Sequence, residues 1–149
     1  PVSALAGIAR NLAAAEVARA RGDWEATIAK LTAAIALEDA LRYNEPSDWY
    51  FPVRHVLGPV LLEAGRSRAA EELFRADLDR NPENGWALTG LAAALRRQGR
   101  ENEAAAADRR LAFAWSRADL DLDRSAAPPE RSGAAATLAS STRRGVPRD

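Results

Sequence analysis

No cysteine occurs among the 149 residues, so neither a disulfide framework nor a thiolate metal site is available. Methionine is absent too, even at position 1, which points to a fragment or a processed product of something longer. Histidine occurs once, at His55, and a single imidazole without a second soft ligand makes a poor metal site. No apolar run approaches the roughly 18 residues a membrane helix needs. The opening residues Pro1 to Leu5 lack the basic and apolar regions of an intact signal peptide. None of these absences chooses a compartment, whether cytoplasmic or, for a piece of a processed protein, periplasmic or secreted. Neither sign of charge is in excess: 21 Lys and Arg face 21 Asp and Glu. Phosphate backbones require a local basic surplus, so nucleic acid is not expected as a partner.

Catalytic patterns are missing as well. There is no Gly-rich phosphate loop, no paired-carboxylate arrangement and no Ser-His-Asp set that can be singled out, so no enzyme activity and no cofactor are expected. Asp119, Asp121 and Asp123 with Glu130 superficially resemble a calcium loop. Arg124 stands where that loop needs glycine, and Pro128 and Pro129 crowd its exit, so calcium is not expected either.

What is present is alanine, 35 residues of it, within a hydrophobic content of 47%. Apolar residues recur at helical spacing: Leu5, Ile8, Leu12, Ala15 and Val17, then Ala26, Ile28, Leu31, Ile35 and Leu37. The pattern predicts six helices, over about 3–21, 24–41, 50–64, 68–81, 86–98 and 101–119. Asp23 and Ser67 are expected to cap the second and fourth. From Leu120 onward Pro, Ser and Gly interrupt each other too often for a packed element. A disordered tail is expected over 120–149, or at most a short helix around Ala134 to Ala139.

The segment from Phe51 to Asn84 is a unit of 34 residues that recurs. Leu57, Gly58, Leu61, Gly65, Ala70, Phe74 and Pro82 mark it. One period later stand Leu91, Ala92, Leu95, Gly99 and Ala104, with Asp108 in the Phe74 place. The preceding turn glycine is Gly22, nine residues further back than the period requires, and the extra residues fall in the loop 42–50. Glycine at the turn supplies a left-handed residue. Gly58 and Ala70 are expected where two helices press closest.

These positions resemble the tetratricopeptide repeat, over about residues 8–118 and repeats at about 8–41, 51–84 and 85–118. The resemblance implies an all-α fold, a right-handed α-solenoid of about three hairpins over 1–119. It also implies a non-catalytic scaffold that binds a protein or peptide along a groove lined by the first helix of each hairpin. A narrower likeness, Glu45-Pro46-x-x-Trp49-Tyr50-x-Pro52-x-Arg54 with Asn81-Pro82-x-Asn84-Gly85-Trp86, is to the C-terminal region of larger bacterial proteins of this family. It implies, as an alternative, a structural cap of a longer repeat array that self-associates through its ends when isolated.

By that register the groove would include Leu12, Glu16 and Arg19, then Pro52, His55, Pro59 and Leu62, then Trp86, Thr89, Ala93 and Arg96. The family's carboxylate clamp is absent, because Leu12, Glu16, Val56, Trp86 and Gly90 stand in its places. The candidate partner-binding residues are Arg19, Arg54, His55, Trp86 and Arg96. Each has a plainer reading beside the functional one. The arginines would be solvated, His55 would pack or lie at the surface, and Trp86 would brace the Asn84-Gly85 turn. Trp49, Tyr50 and Phe51 would either pack inward at the helix start or face the groove.

Overall fold

The computed structural model describes residues 2–42 and 45–117, and the expected tail lies outside them. Six helices follow in order: α1 (Val2–Ala20), α2 (Trp24–Asp39), α3 (Arg54–Glu63), α4 (Ser67–Arg80), α5 (Gly85–Arg96) and α6 (Glu101–Ala114). No strand occurs among the described residues, and no helix there is long and apolar enough to cross a membrane. Each helix packs against its neighbours in the chain, and α3 also touches α5.

The three hairpin turns are built alike. Gly22, Gly65 and Gly99 hold φ near +75°, +75° and +74°. In each, the glycine N–H donates to the carbonyl three residues back, and the next residue's N–H donates to the carbonyl five back. At Gly65 these are Leu62 at 3.1 Å and Leu61 at 2.8 Å; at Gly99 they are Arg96 at 2.9 Å and Leu95 at 3.0 Å; at Gly22 they are Arg19 at 2.9 Å and Ala18 at 3.0 Å. This arrangement satisfies the carbonyls that a helix end leaves bare, and it needs a left-handed residue that glycine supplies without a Cβ clash.

Helix starts are less uniform. Asp23 caps α2 by accepting from the Ala26 N–H at 2.9 Å, and Asn84 caps α5 by accepting from Ala87 at 3.1 Å. Ser67 is no cap. It is the first residue of α4, and the capping position is Arg66, which makes no capping hydrogen bond through its side chain. Arg66 already closes the preceding turn, and its carbonyl accepts from Ala70 at 3.0 Å, so one residue ends one helix and starts the next.

Two boundaries differ from the sequence expectation. Helix α3 begins at Arg54 and not at Tyr50, because a residue before proline is driven out of the helical region and Phe51 precedes Pro52. The start is pinned from outside: the Val53 N–H donates to Glu38 Oε2 on α2 at 3.0 Å. Burial raises the Glu38 carboxyl above its ordinary value, although this backbone bond and Arg54 oppose the rise. Helix α6 ends at Ala114, and Trp115 turns away so that its ring lies on Gly85.

The core runs through all three hairpins. Ile8, Ala15, Leu31 and Ala34 join α1 to α2, while Leu57, Val60, Leu61, Ala70 and Phe74 join α3 to α4. Leu88, Leu91, Leu95, Ala104 and Ala107 do the same for α5 and α6. Gly58 faces the Phe74 ring of α4. A Cβ on Gly58, or on Gly90 of α5, would fall closer than 3.0 Å to the tip of the Phe74 ring. One aromatic ring is thus held between glycines of two different helices.

Candidate functional site

Six rings run in unbroken contact from the loop before α3 to the end of α6. Trp49 and Tyr50 have centroids 6.5 Å apart, as do Tyr50 and Phe51. Phe51 stands edge-on to the His55 imidazole at 6.0 Å, and His55 stacks on Trp86 at 6.2 Å with 19° between planes. Trp86 then meets Trp115 edge-on at 5.0 Å. Tyr50 is 89% exposed and Phe51 41%. Trp49, Trp86 and Trp115 are half-buried. Of the three consecutive aromatics, only Trp49 packs on the core, and its indole N–H is buried without a hydrogen-bond partner.

Local structure explains the row. Pro52 keeps Phe51 out of the helix and leaves the first three rings on the loop before α3. Position 55 then lies in the first turn of α3, and Trp86 lies in the first turn of α5, beside the Asn84 cap. Gly85 leaves room for the Trp115 indole, since a Cβ there would collide with it. Edge-to-face pairs of this kind add about 0.5–1.5 kcal/mol beyond burial.

Beneath the row lies a polar pair. His55 Nε2 is 3.0 Å from Asp77 Oδ2 on α4, with the two side chains 5% and 2% exposed. A carboxylate oxygen only accepts, so Nε2 is the nitrogen that carries hydrogen. Asn81 Nδ2 donates to the other Asp77 oxygen at 3.2 Å.

The sequence-predicted residues are brought together only in part. His55 and Trp86 stack. The three candidate arginines lie elsewhere, each holding a carboxylate of this same chain. Arg19 grips Glu63 through Nε at 3.1 Å and Nη2 at 2.6 Å, tying α1 to α3. Arg54 grips Asp39 at 2.8 and 2.6 Å, tying α3 to α2. Arg96 pairs with Asp108, tying α5 to α6.

Asp39 receives a second cation, Arg80 Nη1 at 2.6 Å. Hydrogen bonds from Arg54, and then Arg80, hold its carboxyl at about 2, against the opposing effect of burial. The pH sign follows. The folded value lies below the ordinary 3.8, so the stabilisation is complete above about pH 4 and is lost as pH falls toward 2. Asp39→Asn is therefore expected to remove on the order of 1 kcal/mol at neutral pH, after discounting for exposure. Urea melts between pH 5 and pH 2 should show a shallower acid loss in the variant.

On the far side a shallow cleft of about 290 Å³ is lined by Arg68, Glu71, Glu72, Arg75, Gln98 and Arg100. Burial would raise the Glu71 carboxyl, but Gln98 at 2.9 Å, Arg75 at 2.9 Å and Arg100 at 2.6 Å donate to it and hold it below its ordinary value. Arg68 pairs with Glu72, and Arg75 and Arg100 both reach Glu103. Every cation in the cleft is matched by a carboxylate, which leaves no surplus for a charged ligand.

Sequence reasoning missed Asp77 and Trp115. Ala70, Phe74, Asp77 and Leu78 share one face of α4 together with Glu71, so carboxylates set among apolar residues at helical spacing were the available signal for the first. For Trp115 the periodicity carries none, because the contact depends on where α6 stops. Among the described residues no group of three or more His, Asp and Glu could hold a metal ion. No protein-family model matches the chain, and no curated protein matches it significantly.

Proposed function

We propose that the chain is a non-catalytic protein or peptide interaction module, a right-handed α-solenoid of three tetratricopeptide-type hairpins whose partner lies along the aromatic row. The row carries the reading: Tyr50 and Phe51 present apolar rings to solvent beside the half-buried Trp86. Exposed clustered aromatics are where binding energy concentrates. Support for the repeat comes from the three alike glycine turns, two of them one 34-residue period apart. The binding residues in this reading are Tyr50, Phe51 and Trp86, with His55 beneath them, and the arginines serve as ties between helices.

The test is a crosslinking capture from the source cell's lysate, comparing the chain with Tyr50→Ala/Phe51→Ala. Both rings are exposed, so stability should change by no more than about 0.5 kcal/mol each. A partner held through the row should be captured about tenfold less well or worse, corresponding to about 1.4 kcal/mol. Equal capture by both proteins would remove the row from the interface.

One observation favours a second reading, that of a structural unit within a longer array. Val2, Ala6, Ala9, Ala13, Val17 and Ala20 form an exposed apolar stripe along α1, with Val2 81% and Val17 52% exposed. An uncovered stripe promotes association. Sedimentation of the isolated chain separates the two: concentration-dependent self-association supports the array, and a monomer across the range supports the stand-alone module.

A further inference from the structure

We infer that Asp77 and His55 are positioning residues that set the orientation of Trp86 and Trp115, so that a buried carboxylate on α4 governs the outer aromatic surface. The chain of contacts is continuous. Asp77 accepts from His55 Nε2 and is itself fixed by Asn81 at its second oxygen. The Nε2 contact of 3.0 Å holds that edge of the imidazole on Asp77, and Phe51 and Trp86 bound it from its other sides. Trp86 lies on that plane within 19° of parallel, and Trp115 stands at 86° to Trp86. Trp115 lies against Gly85, the residue beside Trp86, so a change at the Trp86 ring reaches it directly.

The alternative for so buried a pair is that it only fills space, as apolar residues would. The geometry argues otherwise. A ring chosen for packing alone has no reason to be hydrogen-bonded edge-on to a carboxylate while its face carries an indole. Burying two polar groups is unfavourable unless both are satisfied, and here satisfaction fixes one particular ring orientation. The pair lies within the α3–α4 hairpin, and the stack of His55 on Trp86 carries the contact to α5.

The test uses the whole chain labelled with 5-fluorotryptophan and read by fluorine NMR, with the four tryptophans assigned by Trp→Phe variants. His55→Gln keeps an Nε2–H in reach of Asp77 but removes the ring, and Asp77→Ala keeps the ring but removes its tether. Both are expected to shift or broaden the Trp86 and Trp115 signals while Trp24, on α2, keeps its position. Asp77→Asn, which still offers an acceptor oxygen, should return both signals toward their original places. Unmoved Trp86 and Trp115 signals in His55→Gln would overturn the proposal. So would movement of all four tryptophans together, which indicates general loosening. Should Asp77→Ala fail to fold, Asp77→Leu, which also keeps the ring and removes its tether, takes its place, and unmoved Trp86 and Trp115 signals there would overturn the proposal as well. No partner is needed, so the result is independent of whether the aromatic row is a binding face.

Discussion

Phe74→Ala is expected to lower the unfolding free energy by about 3–5 kcal/mol, the range for removing a fully buried ring. The residue is 2% exposed, and its ring tip touches Gly58 on α3 and Gly90 on α5. Two of the walls around the resulting cavity would be bare backbone, with no side chain that could rotate in to fill it. The reciprocal change should also destabilise. Gly90→Ala improves helix propensity by about 1 kcal/mol, but its methyl group would overlap the ring, and overpacking costs about 1–3 kcal/mol. Urea unfolding should show Phe74→Ala at the high end and Gly90→Ala as a smaller loss. Combining Gly90→Ala with Phe74→Leu should cost less than the sum of the two, since the smaller side chain makes room for the methyl group. A Gly90→Ala protein more stable than the parent would mean that the ring can move aside.

The second large effect is expected at the buried pair. His55→Ala leaves the Asp77 carboxylate 2% exposed with only Asn81 to satisfy it. Leaving a buried acceptor without its donor typically costs about 1–3 kcal/mol, and more for a carboxylate. The lower end is expected here because Asn81 remains. Replacing both residues by leucine should recover most of the loss, because no polar group is then stranded. A double-mutant cycle from denaturant melts measures this. Additive losses for the two single replacements would show that the hydrogen bond contributes nothing of its own.

Much of the architecture was legible because it rests on residue types with few alternatives. Gly65 and Gly99, each at the end of an apolar helical pattern, mark left-handed helix ends, and the flanking Leu and Ala repeat with them. Asp23 before an apolar helical pattern was read correctly as a cap. The errors arose where the backbone competes with a local signal. Ser67 resembles a cap, but Arg66 fills that place by ending one helix and starting the next. Tyr50 to Val53 follow a helical pattern, yet Pro52 forbids the residue before it from joining.

The candidate site was legible in pieces. His55 and Trp86 were picked out singly, and nothing in their spacing of 31 residues says that their rings stack. The arginines stand among the candidate partner-binding residues, and acidic groups are what a guanidinium binds. They do receive acidic groups, but those of this chain: Glu63, Asp39 and Asp108. A guanidinium has the same appetite for a carboxylate wherever that carboxylate comes from, and sequence alone does not supply the distance. Asp77 was passed over because acidic residues on a charged helix are ordinarily solvated.

The packing of each helix on its chain neighbours has a kinetic meaning. Few contacts span long stretches of sequence, so little loop-closure entropy opposes assembly, and any one hairpin can form before the others. The ties between hairpins, at Arg19 with Glu63, Arg54 with Asp39 and Arg100 with Glu71, are then made as neighbours dock. Opening should run the other way, from the ends inward. Amide hydrogens of α1 and α6, whose backbones each pack against one neighbouring helix, should exchange with solvent first. Those of α3 and α4, which close around Phe74, should exchange last.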